Sequence, residues 1–387
     1  MDERTERVFF ALLRSAIREE PLKEEYKKSI TDNSAKSMLV LAKKHDVAVM
    51  LAHALEKNGC LFENEALAQA LQKEIMMSVY RYEQFNYELQ NICRVFDESK
   101  IFHVPLKGSV LRQYYPIPWL RTSCDIDVLV KRGDIEKAKA ALSDALHYEI
   151  RDTGSHDVSM FSPSGIHLEL HFDLNEPKSK SYDTLSNVWE HTHANTENSY
   201  TLALDDDVFY LYHIIHMSKH FLNGGCGIRP FIDLWLLNDV IEGDRQKREE
   251  LLKHENIFAF ANATGRLANV WMTDIPHTEI SRKTQNYVLS GGVYGNIENK
   301  VQLQQSKAGG KLRFAFSKVF LPYEAIKYYY PSLQRHRWLT PFMQVHRWFK
   351  ILFSGGAKRS VRTLQLNHSI GADEKRDTEL FLSQIGL

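Results

Sequence analysis

The 387-residue sequence contains little cysteine, no net charge and no long apolar run. Its four cysteines, Cys60, Cys93, Cys124 and Cys226, form no CxxC pair, which argues against a disulfide framework and favours a reducing compartment. Lysine plus arginine equals aspartate plus glutamate at 49 each, so no overall basic charge draws the chain to nucleic acid. No apolar run reaches the roughly 20 residues that span a bilayer, and the charged first residues differ from a signal peptide. These absences predict a cytoplasmic protein without a transmembrane segment.

Glycine and proline are scarce in residues 1–98, where apolar residues recur at spacings of three and four. This pattern predicts a helical N-terminal region that ends in a long helix from about Glu65 to Asp97. Residues 99–176 show a different period and predict the order β-α-β-α-β-β-β. Helical patterns return in residues 177–300, and residues 301–387 are basic and aromatic, with a tail. The predicted fold is therefore α+β, a small mixed sheet with helices embedded between helical N- and C-terminal regions.

The central module has clear strand and helix boundaries in the sequence. One helix is predicted over Ile135–Leu146, with Gly133-Asp134 as its cap. The strands are predicted at Ile101–Leu106, Cys124–Val130, His147–Arg151, Asp157–Phe161 and Ile166–Leu174.

Two aspartates stand two residues apart in the second predicted strand. Residues i and i+2 of a strand face the same side, so Asp125 and Asp127 project together. Adjacent carboxylates repel, and a divalent cation between them removes the repulsion. Mg²⁺ prefers such oxygen ligands together with phosphate oxygens and water, so a Mg²⁺ or Mn²⁺ site is predicted. The alternative is a solvated face of an edge strand.

A second element, Lys107-Gly108-Ser109, lies between a predicted strand and a predicted helix. Glycine lets the backbone approach a phosphate, and Lys107 and Ser109 offer direct contacts to it. Helix capping by Ser109 and a solvated Lys107 are the alternative. The segment is not a Walker A loop, because GxxxxGK[ST] is absent.

The third element is His167-Leu168-Glu169-Leu170-His171 on the last strand. Alternation places His167, Glu169 and His171 on one face. Glu169 is predicted to complete a metal-binding triad with the two aspartates, the minimum for a two-metal site; a surface salt bridge is its alternative. His171 either orients Glu169, contacts a phosphate or is structural.

These elements together resemble the bacterial uncharacterised nucleotidyltransferase family of the DNA polymerase β superfamily. The flanking segments Lys44–Val47, His216–His220 and Arg229–Leu234, and the tail around Tyr328–Arg347, also resemble that family. The core of the resemblance consists of Lys107, Gly108, Ser109, Leu111, Tyr115-Pro116, Arg121, Asp125, Asp127, Glu169 and His171.

The resemblance implies a polymerase β-like core and transfer of a nucleoside monophosphate from NTP to an acceptor hydroxyl or phosphate, with release of pyrophosphate. ATP is the expected nucleotide. Asp125, Asp127 and Glu169 would be catalytic and metal-binding, and region 177–300 would complete the cleft. The implied nucleotide-binding residues are Lys107, Gly108, Ser109, Arg121, Lys219 and His220.

Two other functional classes stay open at this point. A silent, nucleotide-binding or partner-docking scaffold is one, although the complete set of carboxylates argues against it. A toxin-like nucleotidyltransferase that acts on tRNA or protein is the other, and nucleic acid is not favoured as a partner. The pattern specifies neither the acceptor, nor the base, nor the oligomeric state.

Several charged residues have two interpretations. Arg121 contacts a triphosphate or pairs with a carboxylate. Arg229 and Asp233, one helical turn apart, pair with each other, or Asp233 positions the site. His213, His216 and His220 share a helix face, where zinc is less favoured than a packing or nucleotide-binding role. The interleaved basic and aromatic residues of Arg335–Lys350 suggest RNA or a membrane surface, but a packed helix with a solvated basic rim is favoured.

Overall fold

The structure is a computed structural model, and it describes residues 2–175, 180–194, 199–240, 245–293, 295–297, 299–301, 316, 319–323, 326–327, 330–353 and 372–387. The N-terminal helices are α1 (Glu3–Arg18), α2 (Glu24–Lys27), α3 (Asp32–Lys44), α4 (Ala48–Lys57) and α5 (Glu65–Glu98). The central module contains β1 (His103–Pro105), α6 (Gly108–Leu111), β2 (Asp125–Val130), α7 (Ile135–Leu146), β3 (Glu149–Thr153), β4 (Asp157–Phe161) and β5 (His167–His171). It is followed by α8 (Asp183–Ser186), β6 (Thr192–Ala194), β7 (Leu202–Leu204), α9 (Asp206–Leu222), α10 (Arg229–Val240), α11 (Arg245–His254), α12 (Phe258–Thr273) and α13 (Glu279–Ser290). The last described helices are α14 (Thr340–Phe353) and α15 (Ala372–Gln384).

Side-chain caps explain where the N-terminal helices begin. The Asp2 carboxylate accepts a hydrogen bond from the Thr5 amide at 2.7 Å, which starts α1. Thr31 and Ser34 form a capping box at α3, and Asn64 caps the long helix α5. The predicted long helix is confirmed, and it ends one residue later than expected.

Five strands form a mixed sheet in the order β1-β2-β5-β4-β3. β2 pairs with β5 in parallel, and the other neighbouring pairs are antiparallel. The parallel pair forms because α7 and the β3–β4 hairpin lie between β2 and β5 in sequence. The α+β class and the predicted element order are confirmed.

Two apolar cores hold this arrangement together. One lies between the sheet and the helices α5 and α7, and it includes Phe96, Val128 and Leu142. The other joins α1, α3 and α4 to α9, α10, α12 and α13, with Phe9 and Phe231 among its fully buried side chains. The helices before and after the central module therefore share one core, and together they face the sheet.

The predicted boundaries agree with the structure for α7 and β4, and Asp134 occupies the predicted N-cap position of α7. A 3-10 turn, Arg132–Asp134, precedes α7, and the Asp134 side chain makes no cap hydrogen bond. β5 covers only His167–His171 of the predicted strand Ile166–Leu174. It ends there because the amides of Phe172 and Asp173 both donate to the His156 carbonyl.

The C-terminal region is described in part, and residues 302–315, 317–318, 324–325, 328–329 and 354–371 of the predicted basic and aromatic region lie outside the described residues. The predicted final helix exists as α15, where the Phe381 ring packs at a tilt against Tyr287 in the helical core, with 5.5 Å between the ring centroids. The packed helix favoured for Arg335–Lys350 is wrong for its aromatic residues, since Phe342 and Phe349 are 64% and 57% exposed. Among the described helices, none is both long and apolar enough to cross a membrane.

Candidate active site

The register between β2 and β5 positions the acidic residues. Asp125 lies opposite His167, and Asp127 lies opposite Glu169. Because paired residues on adjacent strands share a face, these side chains project together from the sheet. Ile126 between the aspartates faces the other side and is buried in the core under α5 and α7. The alternation predicted for both strands therefore brings the carboxylates together.

Asp127 stands at the centre of an ionic cluster and is 2% exposed. Lys107 Nζ donates a hydrogen bond to Asp127 Oδ1 at 2.7 Å and lies 3.9 Å from Glu169 Oε2. His171 Nε2 lies 2.9 Å from the same Asp127 oxygen and 3.6 Å from Glu169 Oε2. A lysine and a histidine thus hold the buried carboxylates from two sides.

The three carboxyl groups hold their protons differently. Burial raises the pKa of Asp127, but Lys107 and His171 outweigh burial and hold that pKa well below its usual range. Burial, with the Asp127 charge, raises the pKa of Glu169 to about 7 and also raises the pKa of Asp125. The cluster therefore carries negative charge on Asp127, and a bound cation would favour the ionised forms of Asp125 and Glu169.

The ligand atoms of the cluster fall into two overlapping groups. Asp125, His167 and Glu169 form one, and Asp127, Glu169 and His171 form the other, with the ligand atoms of each group within 4.8 Å of one another. Carboxylate oxygens and imidazole nitrogens fit a divalent cation. Among the described residues, the predicted triad of Asp125, Asp127 and Glu169 is not one such group; it is divided between the two, and Glu169 belongs to both.

The Lys107-Gly108-Ser109 segment lies beside the cluster, but its three residues have different surroundings. Lys107 precedes α6 with a φ of 43° and lines the cleft together with Gly108. A Cβ atom on Gly108 would stand 2.7 Å from an Arg121 guanidinium nitrogen and closer still to Ser123 Oγ, so a larger residue would displace one of these side chains. The Ser109 amide donates to the Leu106 carbonyl at 3.1 Å, and Ser109 is not among the described residues that line the cleft.

Arg121 is buried and makes a two-pronged ion pair. Its Nε and Nη2 donate to the two carboxylate oxygens of Asp233 at 2.9 and 3.0 Å, and Nη1 donates to Ser123 Oγ at 3.0 Å. Tyr115 Oη donates to Asp233 as well, at 2.8 Å. Of the two interpretations of Arg121, this geometry supports the ion pair. The pair suggested between Arg229 and Asp233 is wrong, because Arg229 contacts Asp46 and the Thr122 carbonyl instead.

Helix α9 forms the wall across from the strands, and the cleft between them has a volume of about 380 Å³. His213, His216, Lys219 and His220 all line it. His213 Nε2 lies 3.0 Å from the Pro230 carbonyl, and the Nε2 atoms of His216 and His220 lie 3.0 Å apart. Among the described residues, these histidines belong to no group of three metal ligands.

Two side chains of α9 that line the cleft, Lys219 and His220, have lowered pKa values. Burial, with Lys107 adding, lowers the pKa of Lys219 to about 8, and burial, with Lys219 adding, lowers the pKa of His220 to about 4. A neutral His220 can only offer one donor and one acceptor, whereas Lys219 keeps a positive charge at neutral pH. Lys219 and His220, the predicted nucleotide contacts, both line the cleft. Of the two, only Lys219 carries a positive charge at neutral pH.

Sequence reasoning did not assign several residues that line this cleft. Asp157 pairs with His171 across β4 and β5, and the alternation of the predicted strand could have placed it here. His45 lines the far end of the cleft from the turn after α3, and only its place in a flanking segment pointed to it. His167, recognised as sharing the face of Glu169, was not predicted as a ligand.

A family model described as an uncharacterised nucleotidyltransferase matches residues 31–273, more than half of the chain. The chain belongs to the uncharacterised nucleotidyltransferase family. The match begins at Thr31, which caps α3, and ends at Thr273, the last residue of α12. The matched span includes the acidic cluster and the cleft-lining residues from His45 to Asp233. Neither the curated proteins nor the solved structures contain a match to it.

Proposed function

We propose that the protein is a metal-dependent nucleotidyltransferase that moves a nucleoside monophosphate from NTP, with ATP as the expected donor, to an acceptor hydroxyl or phosphate. The observation that carries this proposal is the parallel pairing of β2 with β5, which brings Asp125, Asp127 and Glu169 to one face in a cleft. Family membership supports the same reaction class.

The carboxylates Asp125, Asp127 and Glu169 would hold the divalent cation, Mg²⁺ or Mn²⁺, which when bound supplies positive charge to the reacting phosphate. The site residues have separate tasks beside it. Lys107 and Gly108, which precede and begin α6, form the floor of the cleft. Lys107 from this floor and Lys219 from α9 bind the β and γ phosphates, and His220 adds a neutral contact from the α9 wall. Gly108 lets this floor lie close under the nucleotide. Arg121, paired with Asp233, donates a hydrogen bond to Ser123 beside Gly108.

The proposed chemical step is a substitution at the α-phosphorus of the NTP. The acceptor oxygen forms a bond to the α-phosphorus while the bond from that phosphorus to the β-bridging oxygen breaks, and pyrophosphate leaves. A hydroxyl acceptor must lose its proton, and Glu169, whose carboxylate is more exposed to the cleft than that of Asp127, accepts it. Positioning and charge complementarity supply most of the rate enhancement.

To test this proposal, purified protein is incubated with each α-³²P-labelled NTP, Mg²⁺ or Mn²⁺ and cell extract. Incorporation of the label into an acceptor and release of pyrophosphate are both measured. We expect label to enter one acceptor class with stoichiometric pyrophosphate, and Asp127→Asn to abolish both. Label in RNA would place the enzyme with the tRNA-modifying class, and label in a small molecule would exclude that class. Nucleotide binding without transfer to any acceptor would contradict the proposal and favour the silent scaffold.

A further inference from the structure

Each ligand group of the acidic cluster contains one imidazole. The register pairs Asp125 with His167 and Asp127 with Glu169, and His171 follows on the same face of β5. Each group accordingly combines one aspartate from β2, one histidine from β5 and the common Glu169. An all-carboxylate cluster would suit Mg²⁺, whereas imidazole nitrogen shifts the preference of a site toward first-row transition ions.

His171 is placed as a ligand rather than as a distant neighbour. Its Nε2 lies 2.9 Å from Asp127 Oδ1 and 3.6 Å from Glu169 Oε2, so the nitrogen and both oxygens border the same small volume. The ring is 5% exposed, which fixes its position. Lys107 Nζ borders that volume too, at 2.7 and 3.9 Å from the two carboxylates. The protein therefore already places a positive charge, the Lys107 ammonium, beside this volume.

His167 is oriented in the way that metal-binding histidines are. Its Nε2 lies 2.8 Å from Ser159 Oγ on β4, and its ring stacks on Phe161 with 4.7 Å between centroids. An outer hydrogen bond on one ring nitrogen sets the tautomer and directs the other nitrogen to the ion. The bond to Ser159 thus assigns Nδ1 of His167 to the group with Asp125 and Glu169.

We propose that the cluster is a pair of overlapping metal sites with mixed oxygen and nitrogen ligands, Asp125/His167/Glu169 and Asp127/Glu169/His171, and that it binds a transition ion such as Mn²⁺ in preference to Mg²⁺. The inference deepens the proposed function, because it concerns the ion of the same cleft. The competing arrangement keeps both histidines outside the ligand sphere, where they only donate hydrogen bonds to the carboxylates.

Pulsed electron paramagnetic resonance of Mn²⁺ bound to the full chain separates the two arrangements, because a directly bound imidazole gives strong ¹⁴N coupling. We expect ¹⁴N coupling in the wild type, weaker coupling in His167→Gln and in His171→Gln, and no change in His147→Gln, which alters an exposed histidine outside the cluster. By calorimetry, Mn²⁺ should bind about tenfold or more tightly than Mg²⁺, and each cluster variant should lose about 10- to 100-fold in Mn²⁺ affinity. Circular dichroism verifies that the variants are folded.

Bound Mn²⁺ without ¹⁴N coupling would overturn the inference, as would equal affinities for Mg²⁺ and Mn²⁺ or no Mn²⁺ binding. The wild-type spectrum decides the matter even if a variant fails to fold. Nucleotide transfer with Mg²⁺ in a protein that shows no ¹⁴N coupling would overturn the inference and leave the proposed function intact. Strong ¹⁴N coupling without transfer from any NTP would support the inference and contradict the proposed function.

Discussion

Asp127 and Glu169 lie directly opposite each other on the parallel strands β2 and β5. Asp127 is ionised and held by Lys107, whereas burial keeps the pKa of Glu169 near 7. Two carboxylates of one cluster thus have different proton affinities although they are paired neighbours. In the metal-free protein the negative charge of this pair therefore lies mainly on Asp127, and a bound cation would lower the pKa of Glu169 and complete its ionisation.

The first prediction concerns the ionised Asp127. Asp127→Asn keeps the size of the side chain but removes its charge, so nucleotidyl transfer should fall by roughly 10²–10³-fold or more and Mn²⁺ affinity should fall with it. Activity by the labelled-NTP assay and affinity by calorimetry are the measurements. Asp144→Asn, on the exposed face of α7, is the matched control and should change neither.

The same substitution leaves Lys107 without its buried partner, so unfolding free energy should fall by about 3–5 kcal/mol. A double variant, Lys107→Met/Asp127→Asn, should recover part of that stability while transfer stays as low as in Asp127→Asn. Full activity in the folded single variant would contradict the assignment of Asp127.

The second prediction concerns Lys107, whose ammonium occupies the cluster. Lys107→Met removes this internal cation, so a metal ion no longer competes with it for Asp127. We expect Mn²⁺ affinity without nucleotide to rise by about tenfold and NTP affinity to fall, because the proposed phosphate contact is lost. Calorimetric titrations with the ion alone and with the ion plus NTP measure both effects. Lys137→Met, on the exposed surface of α7, should leave both affinities as they are; weaker metal binding in Lys107→Met would contradict the prediction.

The acidic cluster could be predicted from the sequence because it depends on strand alternation, which is a local property. Asp125, Asp127 and Glu169 each follow from a period of two, and family resemblance linked the two strands. The position of Lys107 Nζ could not be predicted, since it depends on the positive φ of that residue before α6. The sequence assigned Lys107 to phosphate, whereas in the structure it contacts Asp127.

The third prediction concerns the buried pair of Arg121 and Asp233. Arg121→Met leaves the Asp233 carboxylate, 1% exposed, without its cation, so unfolding free energy should decrease by about 3–5 kcal/mol. Denaturant unfolding measures this loss, and Arg121→Met/Asp233→Asn should regain part of it. NTP affinity of the folded variant should change little, because the guanidinium is engaged by Asp233 and Ser123. A large loss of NTP affinity at unchanged stability would instead favour direct contact with the triphosphate.

That pair also shows why the rest of the cleft lay beyond sequence reasoning. Arg121 and Asp233 are 112 residues apart, and no local period connects a loop before β2 to the helix α10. Spacing instead suggested that Asp233 pairs with Arg229 one turn away, but tertiary packing turns Arg229 toward Asp46. The shared core of the N-terminal and later helices brings these segments together, and such long-range packing has no signature in a single sequence.

The last prediction is a pH dependence of stability that follows from His45. Burial, with Lys44 adding, lowers its pKa from 6.5 to about 4, and the Leu289 backbone opposes this shift only in part. Among the described residues, no partner meets hydrogen-bond geometry at either ring nitrogen. The nearby Leu289 carbonyl already accepts from Lys44 Nζ at 3.1 Å. Between pH 6.5 and 4 the unfolded chain binds a proton that the folded chain excludes. Stability should therefore fall as the pH decreases through this window, by on the order of 3 kcal/mol from His45, and level off below it.

Urea unfolding at pH 7 and at pH 4.5 measures this effect in the wild type and in His45→Asn, whose amide does not titrate. The variant should show a smaller loss of unfolding free energy between the two pH values, whatever its absolute stability. His147→Asn is the matched control, because His147 is exposed and has a positive φ that asparagine tolerates. An equal pH dependence in His45→Asn and His147→Asn would show that His45 takes up a proton as readily in the folded chain as in the unfolded one.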